Sequence, residues 1–306
     1  MIPLTFIASL GTVSFYISLI SFLALTLAVS TAESNLQDPI YDDAFARYKL
    51  FPMCAAAFEE NPQICISNAL GNASLFKQVT VRCDIFESSC SGFSAVSHDH
   101  HAIVLAFRGS LGNAQIVDEG FQALFNIKRR FVGGGRASKY FYNAFLSVWK
   151  GGMRQDLASL RHLHPDYEVW VTGHSLGAAM ASLAAGTIVA EGVVPDSQLK
   201  LMTFGQPRTG DKEYAHFIDS RISYKFRVVH AQDIIPHMPF KLIWGYKHHR
   251  SEIWYNNDMT TNSTFVGCEE ADGNACSNSQ VALSWPDHMH YFNIHIFDFG
   301  KNGCKY

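Results

Sequence analysis

"WVTGHSLGAA", from Trp170 to Ala179, is the stretch on which the fold turns. Val169-Trp170-Val171 reads as a buried strand, and Leu176 to Ala190 as a helix dense in alanine. Ser175 therefore falls where a strand turns directly into a helix. Gly173-His174-Ser175-Leu176-Gly177 fits Gly-x-Ser-x-Gly. In that arrangement the serine hydroxyl stands above the sheet edge at the positive end of a helix, and the glycines clear the space a strained turn needs. A serine acting only as a helix N-cap would explain Ser175 but not a glycine on either side. Ala178, Ala181, Ala185 and Gly186 are small enough to let the helix lie close against a sheet.

Outward from that turn, strands alternate with helices. Gln78–Cys83, Gly92–Ser97 and Ala102–Phe107 read as strands, the last two joined by the polar turn His98-Asp99-His100-His101. Asp42 to Phe58 carries a helical apolar pattern, and Phe145, Trp149, Met153, Leu157 and Leu160 recur at helical spacing in one further helix. Leu199–Phe204 and Tyr224–Val229 look like buried strands. The alternation predicts an α/β protein with a mixed, mostly parallel central sheet flanked by helices. No internal repeat and no Pro/Ser-rich linker divides the chain, so residues 33–306 are expected to form one domain.

At 48% hydrophobic and 17% charged over 306 residues, the chain has ample material for a large core, which excludes a disordered protein. A net charge of -3 gives no reason to expect a nucleic-acid partner. Ile2 to Ala32 carries no charged side chain, and small residues at Ser30 and Ala32 precede Glu33. Residues 1–32 read as a signal peptide, with a membrane anchor as the alternative, because the apolar run is long and lacks a basic start. Either reading sends the rest of the chain into the secretory pathway. The sequons Asn72-Ala73-Ser74 and Asn262-Ser263-Thr264 suit that route. Of the seven cysteines, Cys83/Cys90 and Cys268/Cys276 are short-range pairs that would close surface loops. Cys65 and Cys304 would then staple the two ends, leaving Cys54 free or joined to another chain.

A nucleophilic serine needs a base, and the base needs an orienting carboxylate. Fourteen histidines make abundance useless as a guide, so position decides. Where the order is Ser, then acid, then His, the acid follows a later strand and the histidine lies near the end. Asp233 lies just beyond the strand at Tyr224–Val229, whereas the competing Asp211 and Asp219 precede it. "WPDHMHYF" offers His288 and His290, and His295 follows. The amide of Leu176, directly after the serine, is a candidate donor to a developing oxyanion.

In order along the chain come "LAFRGS", "VTGHSLGAA", "TFGQPRTGD", "VVHAQDIIPHMP", "HHRSEIWY" and "DHMHYF". With these motifs the sequence resembles the fungal-type (class 3) lipase family of α/β hydrolases, and its secreted animal branch around "CEEADGNACSNS". The resemblance implies Ser175 as nucleophile, Asp233 as acid, His288 as base and Ser110 as the oxyanion partner of Leu176. It assigns Arg108 a structural role. It also implies hydrolysis of acylglycerol esters at a lipid–water interface where contact with a membrane or droplet is expected; no cofactor is expected, and with no His-Glu-x-x-His or Cys-x-x-Cys in the sequence no metal either. Phospholipase A1, a soluble carboxylesterase and a non-catalytic lipid-binding member are the alternatives. Ile116, Val117, Phe121, Leu124 and Phe125 have helical spacing and precede the run Gly133-Gly134-Gly135, the pattern of a lid with a flexible exit. Tyr142-Asn143-Ala144-Phe145 stands where fungal members carry His-x-Gly-Phe, a departure that concerns the pocket and leaves the triad intact.

Overall fold

The computed structural model describes residues 39–83, 89–109, 126–240 and 244–306. β1 (Ala73–Arg82), β2 (Ser89–Ser97) and β3 (Ala102–Phe107) form an antiparallel meander. β4 (Glu168–His174), β5 (Leu199–Phe204), β6 (Tyr224–His230) and β7 (Glu252–Tyr255) then follow parallel to β3. β8 (Val266–Cys268) closes the far edge antiparallel, so this eight-stranded sheet runs in chain order. The result is the mixed, mostly parallel sheet of an α/β hydrolase. Its central strands are apolar nearly throughout because both faces are covered.

Strand alternation divides the core in two. Ile103, Leu105 and Phe107 of β3 join Val169 and Val171 on one face, under α3 (Lys139–Val148), α4 (Arg154–Leu163) and α5 (Leu176–Ala190). Val104 and Ala106 face the other way, where α1 (Phe51–Ala56) and α2 (Gln63–Leu70) pack with the C-terminal Ile296 and Phe299. α5 is buried all round over Leu176–Ile188, which explains its near-absence of polar side chains.

Three features differ from the reading of the sequence. The single helix expected through Phe145 and Leu160 is two, α3 and α4, separated at Trp149–Met153 by a π turn in which Gly152 takes φ 147. The apolar spacing survives that break, so periodicity alone concealed it. β1 is ten residues long and buried only at Val79, with a register shift between Leu75 and Lys77 that interrupts its alternation. Gly133-Gly134-Gly135 is the turn of a hairpin joining Lys128–Arg130 to Arg136–Ser138, closed by Phe131 N–H to Gly135 O at 3.0 Å. A Cβ on Gly133 would lie 2.3 Å from the Phe217 ring, whereas exposed Gly134 has nothing within 4 Å, so the run is crowded at its ends and open at its middle.

Cys65–Cys304, Cys83–Cys90 and Cys268–Cys276 are disulfides, and Cys54 is free and buried. Burial pushes the Cys54 thiol up to about 12, although a 3.1 Å contact with the Thr172 hydroxyl acts the other way. The leader read at residues 1–32 and the amphipathic stretch Ile116–Phe125 lie outside the described residues. Among the described residues no helix is long and apolar enough to cross a membrane.

Candidate active site

Ser175 ends the turn from β4 into α5 with φ 60 and ψ -127, a backbone conformation costing roughly 1–3 kcal/mol for a residue other than glycine. Its surroundings hold it there. A Cβ on Gly173 would lie 2.3 Å from the Gly177 carbonyl, and one on Gly177 would lie 2.2 Å from the Phe107 oxygen. Both glycines are therefore dictated by space. The Ser175 N–H donates to Phe204 O on β5 at 3.0 Å, fastening the elbow to the sheet. Leu176 opens α5, where a first-turn amide has no carbonyl within the helix to bond. A Cβ on Gly109 would lie 2.8 Å from His174 O and 3.4 Å from Ser175 Cβ, so the chain after β3 passes against the elbow. Ser110, the next residue, lies outside the described residues.

The candidate acid is carried by the loop after β6. Asp233 is fully buried, and its carboxylate accepts from Tyr291 Oη at 2.6 Å, His288 Nδ1 at 2.9 Å and Ile235 N–H at 2.9 Å. Burial alone would raise its pKa. The His288 charge and these hydrogen bonds outweigh that and hold it below the usual aspartate value.

The loop bearing His288 is stitched to the acid loop through backbone. Ser284 N–H donates to Gln232 O at 2.7 Å, Ile234 N–H donates to Ser284 O at 3.2 Å, and Asp287 accepts from Gln232 N–H at 2.9 Å. Ser284 also caps the short helix α7 (Trp285–Met289) that carries His288. The His288 ring stacks on the ring of His174, the residue before Ser175, at 4.4 Å and 26°. Burial, with His288 beside it, drives the His174 pKa down to about 3, so its ring is neutral. His174 Nε2–H then donates to His288 O at 2.8 Å. Elbow, acid loop and histidine loop thus converge at the C-terminal ends of the parallel strands, where α/β sheets hold their ligands.

The competitors are engaged elsewhere. Asp211 caps α6 (Lys212–Arg221) through Tyr214 N–H. Asp219 accepts from Arg250 N–H. His290 is exposed beside Pro286 O, and His295 pairs with Asp298 at 2.8 Å. Arg108 reaches the carbonyl and hydroxyl of Ser89. Three residues went unassigned in the sequence: His174, Tyr291 and Gly205. A Cβ on Gly205 (φ 57) would meet Asp233 Oδ2 at 2.8 Å and His288 Nδ1 at 2.9 Å. All three stand inside motifs quoted above, but only the assembled loops show what they touch.

A serine on a strand-to-helix elbow, a later His–Asp pair and this sheet order define an α/β hydrolase. The family described as lipase (class 3) matches residues 104–243. The chain is 32% identical over 320 residues to Lipase ZK262.3 of Caenorhabditis elegans, across 92% of this chain and 89% of that one. It is 30% identical over 222 residues to secreted mono- and diacylglycerol lipase A of Penicillium cyclopium, across 70% of each. The structure of a fungal lipase–inhibitor complex, described as a model for interfacial activation in lipases, aligns with TM-score 0.69 and 26% identity, across 84% of this chain and 97% of that one. The chain belongs to the class 3 lipase family, a family of carboxylic ester hydrolases.

Proposed function

We propose that the protein is a secreted serine lipase that hydrolyses acylglycerol esters through Ser175, His288 and Asp233. The observation that carries this reading is the Asp233–His288 pair, buried, hydrogen-bonded at 2.9 Å and stacked through His174 onto the Ser175 elbow. His288 takes the Ser175 proton as the serine oxygen attacks the ester carbonyl, and Asp233 orients the ring and stabilises its positive charge. The Leu176 amide and Ser110 hold the tetrahedral oxyanion. The alcohol departs on the proton returned by His288, and water then releases fatty acid from the acyl-enzyme. Tyr291 and Ile235 keep both Asp233 oxygens occupied, so the carboxylate cannot turn away from the histidine.

Acylglycerols are favoured as substrates by the Penicillium relative, and an interfacial setting by the apolar spacing of Ile116–Phe125. Exposed Phe240, seven residues beyond Asp233, and exposed Trp244 suit the same setting. Secretion is favoured by the disulfides, the charge-free leader and exposed asparagines at both sequons, the mature domain being residues 33–306. The test compares wild type with Ser175→Ala on emulsified triacylglycerol and on a short-chain ester taken through its solubility limit. Serine-dependent activity that rises sharply once an interface forms is the expected result. Serine-dependent activity confined to dissolved ester would retain the triad and refute the lipase.

A further inference from the structure

The segment after the acid, Asp233 to Pro239, is held from behind by residues that take no part in the chemistry. His237 Nδ1 lies 2.9 Å from Asp233 O and its Nε2 lies 3.0 Å from Ser277 O. His248 Nε2 lies 2.7 Å from Pro236 O. Arg208 Nη1 donates to His237 O at 2.5 Å and Pro239 O at 2.9 Å, and its backbone N–H donates to Met238 O at 2.8 Å. Consecutive carbonyls from Pro236 to Pro239 therefore each meet a fixed partner.

Those partners share one anchor. Asp272 Oδ1 accepts from Arg208 Nε at 2.8 Å, and Asp272 Oδ2 accepts from His248 N–H at 2.9 Å. Asn278 joins them, accepting from Arg208 Nη2 at 2.9 Å. Arg208 is 1% exposed and Asp272 3%, so neither charge is compensated by water. Asp272 sits at φ 58 inside the loop closed by Cys268–Cys276. A buried ion pair with a left-handed aspartate is an expensive way to stabilise a fold, since apolar side chains of equal bulk commonly do as well. What the pair achieves is orientation: one guanidinium fork fixes two carbonyls, His237 O and Pro239 O, of the segment that aims Asp233.

We propose that Asp272 and Arg208 are positioning residues for the triad, with the Cys268–Cys276 loop as a clamp that fixes Asp233 against His288. This rests on the triad reading above. Asp272→Asn keeps the shape but removes the charge opposite Arg208 and leaves one oxygen for two donors, so either Arg208 Nε or the His248 N–H faces an NH2 group and the clamp loosens. Misplacement of a reacting constellation by about 1 Å lowers rate by about 10²-fold, so a partial loosening is expected to lower kcat at least tenfold with little change in KM.

The experiment uses a dissolved short-chain ester, with kcat and KM expressed per site titrated to completion by a fluorophosphonate. Asp43→Asn, which breaks the Arg47–Asp43 pair, serves as the comparator for damage to the framework alone. Arg208→Met/Asp272→Leu removes both charges together, so it tests the clamp should Asp272→Asn fail to fold. The expected result is a kcat per site at least tenfold lower in the clamp variants, KM within about twofold, and wild-type kcat in Asp43→Asn. Wild-type kcat per site in a clamp variant, whatever its melting temperature, overturns the inference alone. Hydrolysis that survives Ser175→Ala overturns the triad reading, and the inference falls with it.

Discussion

Gly205→Ala asks whether the triad is held as tightly as its geometry implies. Gly205 adopts φ 57, and the methyl group would arrive 2.8 Å from Asp233 Oδ2 and 2.9 Å from both His288 Nδ1 and Cε1. Reaching an ordinary contact near 3.5 Å requires a retreat of about 0.6 Å by Asp233 and His288, both of which are buried. A productive constellation tolerates about 0.5 Å. The shift is thus comparable with the whole tolerance, and kcat is expected to fall about 10- to 100-fold. The left-handed backbone adds a penalty of roughly 1–2 kcal/mol in stability. Gly192→Ala separates the two effects, because Gly192 has φ 66 and nothing within 4 Å of the added methyl. It should lose similar stability and no activity. The assay is kcat per titrated site on a dissolved ester, beside thermal unfolding of both variants. A folded Gly205→Ala enzyme with kcat within threefold of wild type would refute this account of the site.

Tyr291→Phe removes the 2.6 Å bond to Asp233 and should lower stability near neutral pH by about 2 kcal/mol, as for other hydrogen bonds to charged groups. Because the folded-state pKa of Asp233 is depressed, that stabilisation is present above the unfolded value near 3.9. It is lost as pH falls through the folded value, so the gap between variant and wild type should narrow in acid; a gap constant with pH contradicts the assignment. His174 stays neutral in the fold down to about 3, whereas an unfolded histidine takes a proton near 6.5. Falling pH therefore favours the unfolded chain by about 1.4 kcal/mol per unit across that window. His174→Phe should flatten the loss of melting temperature between pH 6.5 and 4, and an unchanged slope would count against a buried neutral ring. Cys65–Cys304 spans 239 residues and Cys83–Cys90 spans 7. Replacing the first pair by alanine should cost about 5 kcal/mol and the second about 2.5, measured by denaturant unfolding, and the reverse order would refute the loop-entropy reasoning.

Much of this architecture was legible because it is local. Ala102–Phe107, Val169–Val171 and Leu199–Phe204 announce buried strands by unbroken apolar runs, and the glycines around Ser175 announce a turn with no room for a side chain. Chain order narrowed fourteen histidines to His288, His290 and His295, and only the motif Asp287-His288-Met289-His290-Tyr291-Phe292, through its resemblance to the family, singled out His288. What was not legible depends on residues that meet only after folding. Gly205 looks like any loop glycine until Asp233 and His288 arrive from two later loops. Arg208 and Asp272 stand 64 residues apart, and each alone reads as a surface charge. Gly152 breaks a helix whose apolar spacing continues across the break, and β1 conceals its length behind a register shift. The glycine run at Gly133–Gly135 gave no sign that it would turn a hairpin with Phe217 against Gly133 and the Tyr214 backbone against Gly135.

The central claim is that Ser175 is the nucleophile activated by the His288–Asp233 pair. Its most direct test is to treat the folded protein with a fluorophosphonate and map the adduct by mass spectrometry, alongside Ser175→Ala and His288→Ala. One adduct per chain on Ser175, absent from Ser175→Ala and formed far more slowly in His288→Ala, is the predicted result. A folded wild-type protein that takes no label, or that takes it on another residue, would contradict the claim.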